Sequence, residues 1–261
     1  MAQIHAHFYL NSIGRAGGAE LIVPQKYYDS PAERQHVPVL YLLHGAGGDE
    51  TSFIRFTSIE TYAEKYGLAV VMPGGELSDF TDMTHGFRYY TYVTDELPSL
   101  MYSVFGLSPS REKCLIAGCS MGANAAVRIA LSRPERYGAC GCLSGGLSFR
   151  LPPLETEGLD PEKDRYAFMR YDRRQIRGSE EDVTGNAKKI AEEGGPAPRI
   201  YHAVGTGDKM LEHARRTRDF FTSFENDPFC YTYSESEGGH DWLFWDRTLP
   251  EFLDFALGDL K

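Results

Sequence analysis

A short apolar strand, Cys114 to Ala117, runs through Gly118-Cys119-Ser120-Met121-Gly122 straight into a helix, and this joint constrains the fold more than any other stretch of the chain. The helix is read from spacing: Ala123, Ala126, Val127, Ala130 and Leu131 fall on one face, and Pro134 ends the run. Strand before and helix after is the context in which Gly-x-Ser-x-Gly forms a nucleophile elbow. The flanking glycines permit a tight, strained turn and keep side chains away from the serine. Ser120 Oγ is then expected above the end of a sheet, at a helix N-terminus whose free N–H groups favour developing negative charge.

The rest of the chain supplies a sheet around that joint. Alternating patterns over His5 to Leu10 and Ala19 to Val23 predict an antiparallel pair. Val37 to Leu43, Leu68 to Met72 and Tyr137 to Leu143 are almost continuously apolar, as strands covered on both faces should be. Between and after them, helices are predicted over Ser58–Tyr66, Thr94–Phe105, His213–Phe224 and Trp242–Leu257, with further strands over Arg199–Val204 and Cys230–Ser234. Ser78 to Tyr92 reads as irregular and aromatic-rich. The alternation predicts an α/β class, with a mostly parallel, doubly wound sheet in a single domain spanning residues 1–261. Residues 145–198 are too long for a simple loop and too polar for a second core, and are expected to form a lid-like excursion over the active-site edge, with a short helix over Asn186–Glu193.

Acidic residues outnumber basic ones, 37 to 27, for a formal net charge of −10. That argues against nucleic-acid or anionic-membrane partners, and no stretch reaches the ~20 apolar residues that span a bilayer. The five cysteines have no metal-type spacing, and Cys114, Cys119, Cys140 and Cys142 fall in or beside apolar strands, as small hydrophobes do. Met1 to Leu10 lacks the features of a secretory signal, so a reduced, cytoplasmic protein is expected. A homo-oligomer is compatible with the sequence.

A serine nucleophile needs a base, and the base an orienting acid. His240, in Glu237-Gly238-Gly239-His240, follows the last predicted strand and is the candidate base; two glycines allow its loop to approach Ser120. Asp208, in Gly205-Thr206-Gly207-Asp208, follows a buried strand and lies between serine and histidine in chain order, which favours it over Asp241 and Asp227 as the acid. The glycine-rich loop His44-Gly45-Ala46-Gly47-Gly48 is the candidate second half of an oxyanion hole, the first half being the N–H of Met121. His44 is expected to brace this loop. Cys119, adjacent to the serine, should face the core.

Leu42-Leu43-His44-Gly45-Ala46-Gly47-Gly48, Asp95-Glu96-Leu97-Pro98, Gly118-Cys119-Ser120-Met121-Gly122, Gly205-Thr206-Gly207-Asp208 and Gly238-Gly239-His240-Asp241-Trp242-x-x-Trp245 occur in that order. Together they resemble the esterase D family: tributyrin-esterase-like carboxylesterases, S-formylglutathione hydrolases, and related feruloyl and acetyl xylan esterases. The resemblance implies an α/β-hydrolase fold with Ser120 as nucleophile, His240 as base, Asp208 as acid, and the N–H groups of Ala46 and Met121 as the oxyanion hole. It implies acyl transfer to water with no metal and no organic cofactor. Two departures shape the reading. Family members often place a second glycine after the elbow, where this chain has Ala123-Asn124, and formylglutathione hydrolases usually carry a cysteine in the loop after His-Gly, which this chain lacks. The tributyrin-esterase-like branch is therefore favoured.

The expected substrate is a small-molecule ester with a short-chain or aromatic (feruloyl- or acetyl-type) acyl group. Phe53, Tyr89 and Trp242 are the candidate substrate-binding residues, with Phe56, Phe87 and Tyr90 nearby in sequence. Tyr166, Phe168, Met169 and Tyr171, beside Arg170, Arg173 and Arg174, are candidates for a lid. His5 and His7 share a strand face but have no third ligand near them in sequence. The alternatives carried with this reading are an acyltransferase using the same three residues and a non-catalytic binding protein on a hydrolase fold.

Overall fold

The computed structural model describes residues 1–83, 86–107, 109–147 and 178–258. An eight-stranded sheet runs in the order β1-β2-β4-β3-β5-β6-β7-β8. β1 (Ala2–Leu10) and β2 (Arg15–Val23) form an antiparallel hairpin, and β2 pairs antiparallel with β4 (Ala69–Pro73). The other strands, β3 (Val39–Leu43), β5 (Cys114–Cys119), β6 (Ala139–Leu143), β7 (Arg199–Gly205) and β8 (Thr232–Ser236), are parallel to their neighbours.

Both faces of the parallel strands are covered, and successive residues supply opposite cores. Val39, Tyr41 and Leu43 of β3, with Cys114 and Ile116 of β5, join one core. Leu40 and Leu42, with Leu115, Ala117 and Cys119, join the other. This is why those strands read as unbroken apolar runs. In the chain order of its helices, α1 (Gln25–Asp29) follows the hairpin, and α2 (Ser52–Phe56) and α3 (Ile59–Tyr66) precede β4. Next come α4 (Tyr89–Thr91), a π-helical turn (Tyr92–Glu96) and α5 (Leu97–Phe105) in one continuous segment, then α6 (Met121–Ser132), α7 (Val183–Glu193), α8 (Leu211–Thr222) and α9 (Trp242–Leu257). α5, α6, α7 and α8 pack on the first core, α3 and α9 on the second. α9 buries Phe244, Trp245, Leu249, Phe252, Leu253, Ala256 and Leu257 along one stripe. At ~1.5–3 kcal/mol for each large side chain removed from water, that stripe fixes the helix against the sheet.

Several boundaries differ from the sequence reading for identifiable reasons. β8 begins at Thr232, two residues later than expected, because the Asp227 carboxylate accepts from the Tyr231 N–H and holds Cys230 and Tyr231 in a turn. The helix expected from Thr94 starts earlier, at Tyr89, and Glu96 turns back to accept from the N–H groups of Asn11 and Ser12 in the β1–β2 turn. α7 starts at Val183 instead of Asn186, capped by Asp182, whose carboxylate accepts from the Gly185 N–H at 2.7 Å. The expected lid residues Tyr166, Phe168, Met169, Arg170, Tyr171, Arg173 and Arg174 lie outside the described residues.

The order in which strands are added reverses across the sheet between the parallel strands β3 and β5: β4 lies on one side of β3, whereas β6, β7 and β8 continue outward from β5. Sites in open α/β sheets form at the carboxyl ends of strands at such a switch. The loops after β3, β5, β7 and β8 carry Ala46, Ser120, Asp208 and His240.

Candidate active site

Ser120 sits between β5 and α6 with φ +53° and ψ −113°, a conformation L-residues rarely adopt and that costs about 1–3 kcal/mol. Its N–H donates to the Leu143 carbonyl at 2.9 Å, and its carbonyl accepts from the Asn124 N–H at 3.2 Å, the first bond of α6. The flanking glycines are required by space. A β-carbon at Gly122 would stand 2.1 Å from the Leu43 carbonyl oxygen, and one at Gly118 would stand 2.5 Å from the Gly122 backbone. Strand, elbow and helix therefore meet backbone to backbone.

His240 Nε2 lies 2.8 Å from Ser120 Oγ. Its Nδ1 lies 2.8 and 3.0 Å from the two Asp208 carboxylate oxygens. The Asp208 side chain is wholly buried. Burial by itself would raise its pKa. Hydrogen bonds from His240 and the Met210 N–H (2.7 Å), with the polar Ser144 hydroxyl, outweigh that and hold it below the ordinary carboxylate value. The structure thus brings Ser120, His240 and Asp208 into one hydrogen-bonded series. Asp241 and Asp227 lie elsewhere in role: Asp241 caps α9 by accepting from the Phe244 N–H at 3.0 Å, and Asp227 holds the turn before β8.

The loop after β3 packs against the elbow. A β-carbon at Gly45 would touch Ser120 Cβ at 3.4 Å. His44, buried, accepts from the Gly75 N–H through Nε2 at 2.9 Å, so Nδ1 carries the proton and donates to the Gly45 carbonyl at 2.8 Å. Burial lowers its pKa, which keeps the ring in this neutral, bracing form. Met121 opens α6, where the first N–H groups have no intrahelical partner.

These elements enclose a cleft of about 370 Å³ whose lining includes Ala46, Phe56, Ser120, His240, Trp242 and Trp245. Trp242 stacks on Phe56 with ring centroids 5.1 Å apart and meets Phe53 edge-on at 5.2 Å. Of the three expected substrate-binding residues, Trp242 lines the cleft. Phe53 is buried behind it, and Tyr89 lies in the core, where its hydroxyl accepts from Arg15 at 3.2 Å. Arg55 and Lys209 stand exposed at the cleft's edge. The sequence reading missed Ser144, which accepts from the Trp245 indole, and gave Trp245, part of the family motif, no role, although its ring stands edge-on to His240. The signals present were a serine at the carboxyl end of a buried strand and a second tryptophan one helical turn after Trp242.

His5, the other histidine pairing considered with His7, bonds to the Glu20 carboxylate. Cys119 faces the second core with its thiol pKa pushed up by burial. No helix among the described residues is long and apolar enough to cross a membrane.

A model of the family described as "Putative esterase" matches residues 11–256. An acetyl esterase of Caldicellulosiruptor saccharolyticus is 30% identical over 240 residues, covering 89% of this chain and 88% of its own. An S-formylglutathione hydrolase of Paracoccus denitrificans is 33% identical over 133 residues, 42% of this chain and 47% of that protein. The fluorophosphonate-binding serine hydrolase FphF of Staphylococcus aureus superposes with a TM-score of 0.83 at 26% identity, over 98% of both chains. Sheet, helices and these neighbours define an α/β-hydrolase of the serine esterase class. The chain belongs to this esterase family, with the esterase D-like carboxylesterases, and is an enzyme acting on carboxylic ester bonds.

Proposed function

We propose that this carboxylesterase hydrolyses small esters of short acyl groups, acetyl foremost, through an acyl-serine intermediate. The observation that carries the reading is the 2.8 Å contact between His240 Nε2 and Ser120 Oγ, with Asp208 on the far side of the same ring. His240 takes the Ser120 proton as Oγ attacks the ester carbonyl, and the ionised Asp208 stabilises the imidazolium that forms. The N–H groups of Met121 and Ala46 hold the oxyanion; each such donor is worth about 10²–10³ in rate. Collapse of the tetrahedral species expels the alcohol, which takes its proton from His240. Water, activated by the same imidazole, then releases the acid.

The acyl assignment draws on two supports. The cleft is small, and the Trp242–Phe56 stack closes one side of it against long chains. A relative that aligns over most of the chain is an acetyl esterase. The test is a panel of p-nitrophenyl esters from acetate to octanoate, methyl ferulate and S-formylglutathione, with Ser120→Ala alongside and an alcohol acceptor added in a second series. Serine-dependent turnover falling with chain length is expected. A preference for methyl ferulate or octanoate would overturn the acyl assignment. Partition towards the added alcohol ahead of water would make the enzyme an acyltransferase.

A further inference from the structure

Behind the His240 ring lies a second, buried hydrogen bond. The Trp245 indole N–H donates to Ser144 Oγ at 2.9 Å. An indole N–H can only donate, so Ser144 Oγ must accept it. Ser144 has no exposed surface and Trp245 is 6% exposed, so water does not compete for this bond. The Trp245 ring also stands edge-on to the His240 imidazole, centroids 5.3 Å apart and planes at 85°. One side chain of α9, anchored by Ser144, therefore touches the base directly. Ser144 is held at φ +56° by its N–H bond to the Ala203 carbonyl at 2.8 Å. Glycine occupies that backbone region without strain, so the site keeps a hydroxyl where the backbone alone would favour none.

We propose that Ser144 and Trp245 are positioning residues acting as one unit: Ser144 anchors the Trp245 indole, and the anchored ring holds the His240 imidazole in register for proton transfer from Ser120. This rests on the roles of Ser120, His240 and Asp208 given above. The unit contacts the base and leaves substrate affinity to the cleft wall formed by Trp242 and Phe56. Its loss is expected in kcat and not in KM.

The test uses Ser144→Ala, Ser144→Gly, Trp245→Phe and Ser144→Ala/Trp245→Phe with p-nitrophenyl acetate, together with thermal midpoints and Ser120→Ala. Misplacing a reacting pair slightly costs up to about 10²-fold, and a loss in kcat of about 10-fold or more is expected for both Ser144 variants and, to a similar extent, for Trp245→Phe. KM should stay within about twofold in each. Both Ser144 variants leave the same buried indole N–H unpaired, but glycine also relieves the strained backbone, so Ser144→Gly should melt higher than Ser144→Ala while losing kcat to the same extent, a split that a merely structural serine would not give. Should Ser144→Ala fail to fold, Ser144→Gly decides the matter. The double variant should be no slower than Ser144→Ala alone, since both changes break the same hydrogen bond. Unchanged kcat in Ser144→Gly, losses confined to KM, or losses that multiply in the double variant would each overturn the proposal while Ser120→Ala stays inactive. Turnover by Ser120→Ala would instead overturn the underlying roles, and this unit with them.

Discussion

The Arg128 guanidinium, on the helix that follows Ser120, meets the Glu181 carboxylate at 2.5 Å, with side-chain exposures of 0% and 9%. Arg128 also donates to the carbonyls of Asp79 (2.7 Å) and Phe80 (2.9 Å). One buried cation thus ties α6 both to the loop after β4 and to the segment leading into α7. Breaking a buried pair from one side leaves an uncompensated charge and costs about 3–5 kcal/mol. Arg128→Met and Glu181→Gln should each lose stability in that range in urea unfolding. The double variant should lose less than the sum of the two; strict additivity would show that the two groups are not coupled.

The elbow tolerates no β-carbon at Gly122, because the nearest atom would be the Leu43 carbonyl oxygen at 2.1 Å. Gly122→Ala should force the backbone of β3 and α6 apart, cost about 1–3 kcal/mol or more, and abolish turnover. Gly47→Ala is the matched control: φ is +80° there but the space is open. It should cost only the left-handed penalty of about 1–2 kcal/mol. Thermal midpoints and turnover of the two proteins check the contrast, and an active Gly122→Ala enzyme would contradict it.

Acid stability follows from His202, buried between the Tyr231 hydroxyl (2.7 Å, at Nδ1) and the Gly145 carbonyl (3.1 Å, at Nε2). Burial lowers its pKa from 6.5 to about 4, the Gly145 carbonyl opposing that shift. As pH falls the unfolded chain takes up a proton at this residue first. Its contribution is therefore complete above pH 6.5, declines as pH falls, and is gone below about 4. The window is worth roughly 3 kcal/mol at one residue. Asp208, held below the ordinary carboxylate value, adds a further loss in acid below that value. Urea midpoints should fall between pH 7 and 4.5, and the fall should be shallower in His202→Gln. An unchanged slope in that variant would contradict the assignment.

Trp242 forms one wall of the cleft by stacking on Phe56. Trp242→Ala should raise KM for p-nitrophenyl acetate by about 10-fold, the loss of a modest apolar contact, and improve octanoate relative to acetate as the wall recedes. Kinetics across the ester series measure both. An unaltered chain-length profile would remove Trp242 from acyl selection.

Much of the site was readable because it hangs on backbone geometry that few residues satisfy. Gly118 and Gly122 around Ser120, the chain order of Ser120, Asp208 and His240, and the glycine loop after Leu43 all announce themselves locally. What escaped depends on register between distant elements. Ser144 is placed by the pairing of β6 with β7, Leu143 opposite Ala203, and Trp245 reaches Ser144 only through the rotation of α9 about its axis. Neither quantity is written in local pattern. Tyr89 shows the reverse error: an aromatic residue in a segment expected at the catalytic edge turns inward to fill the core. Arg128 on α6, which no local pattern singles out, is enclosed by the Asp79 and Phe80 carbonyls and by Glu181 from two segments distant in sequence.

The most direct test of the central claim is the intact mass of the enzyme quenched during turnover of p-nitrophenyl acetate, followed by peptide mapping. One acetyl group on Ser120, absent from Ser120→Ala, is the predicted result. Turnover with no acylated serine, or acetyl carried on another residue, would contradict the acyl-serine mechanism.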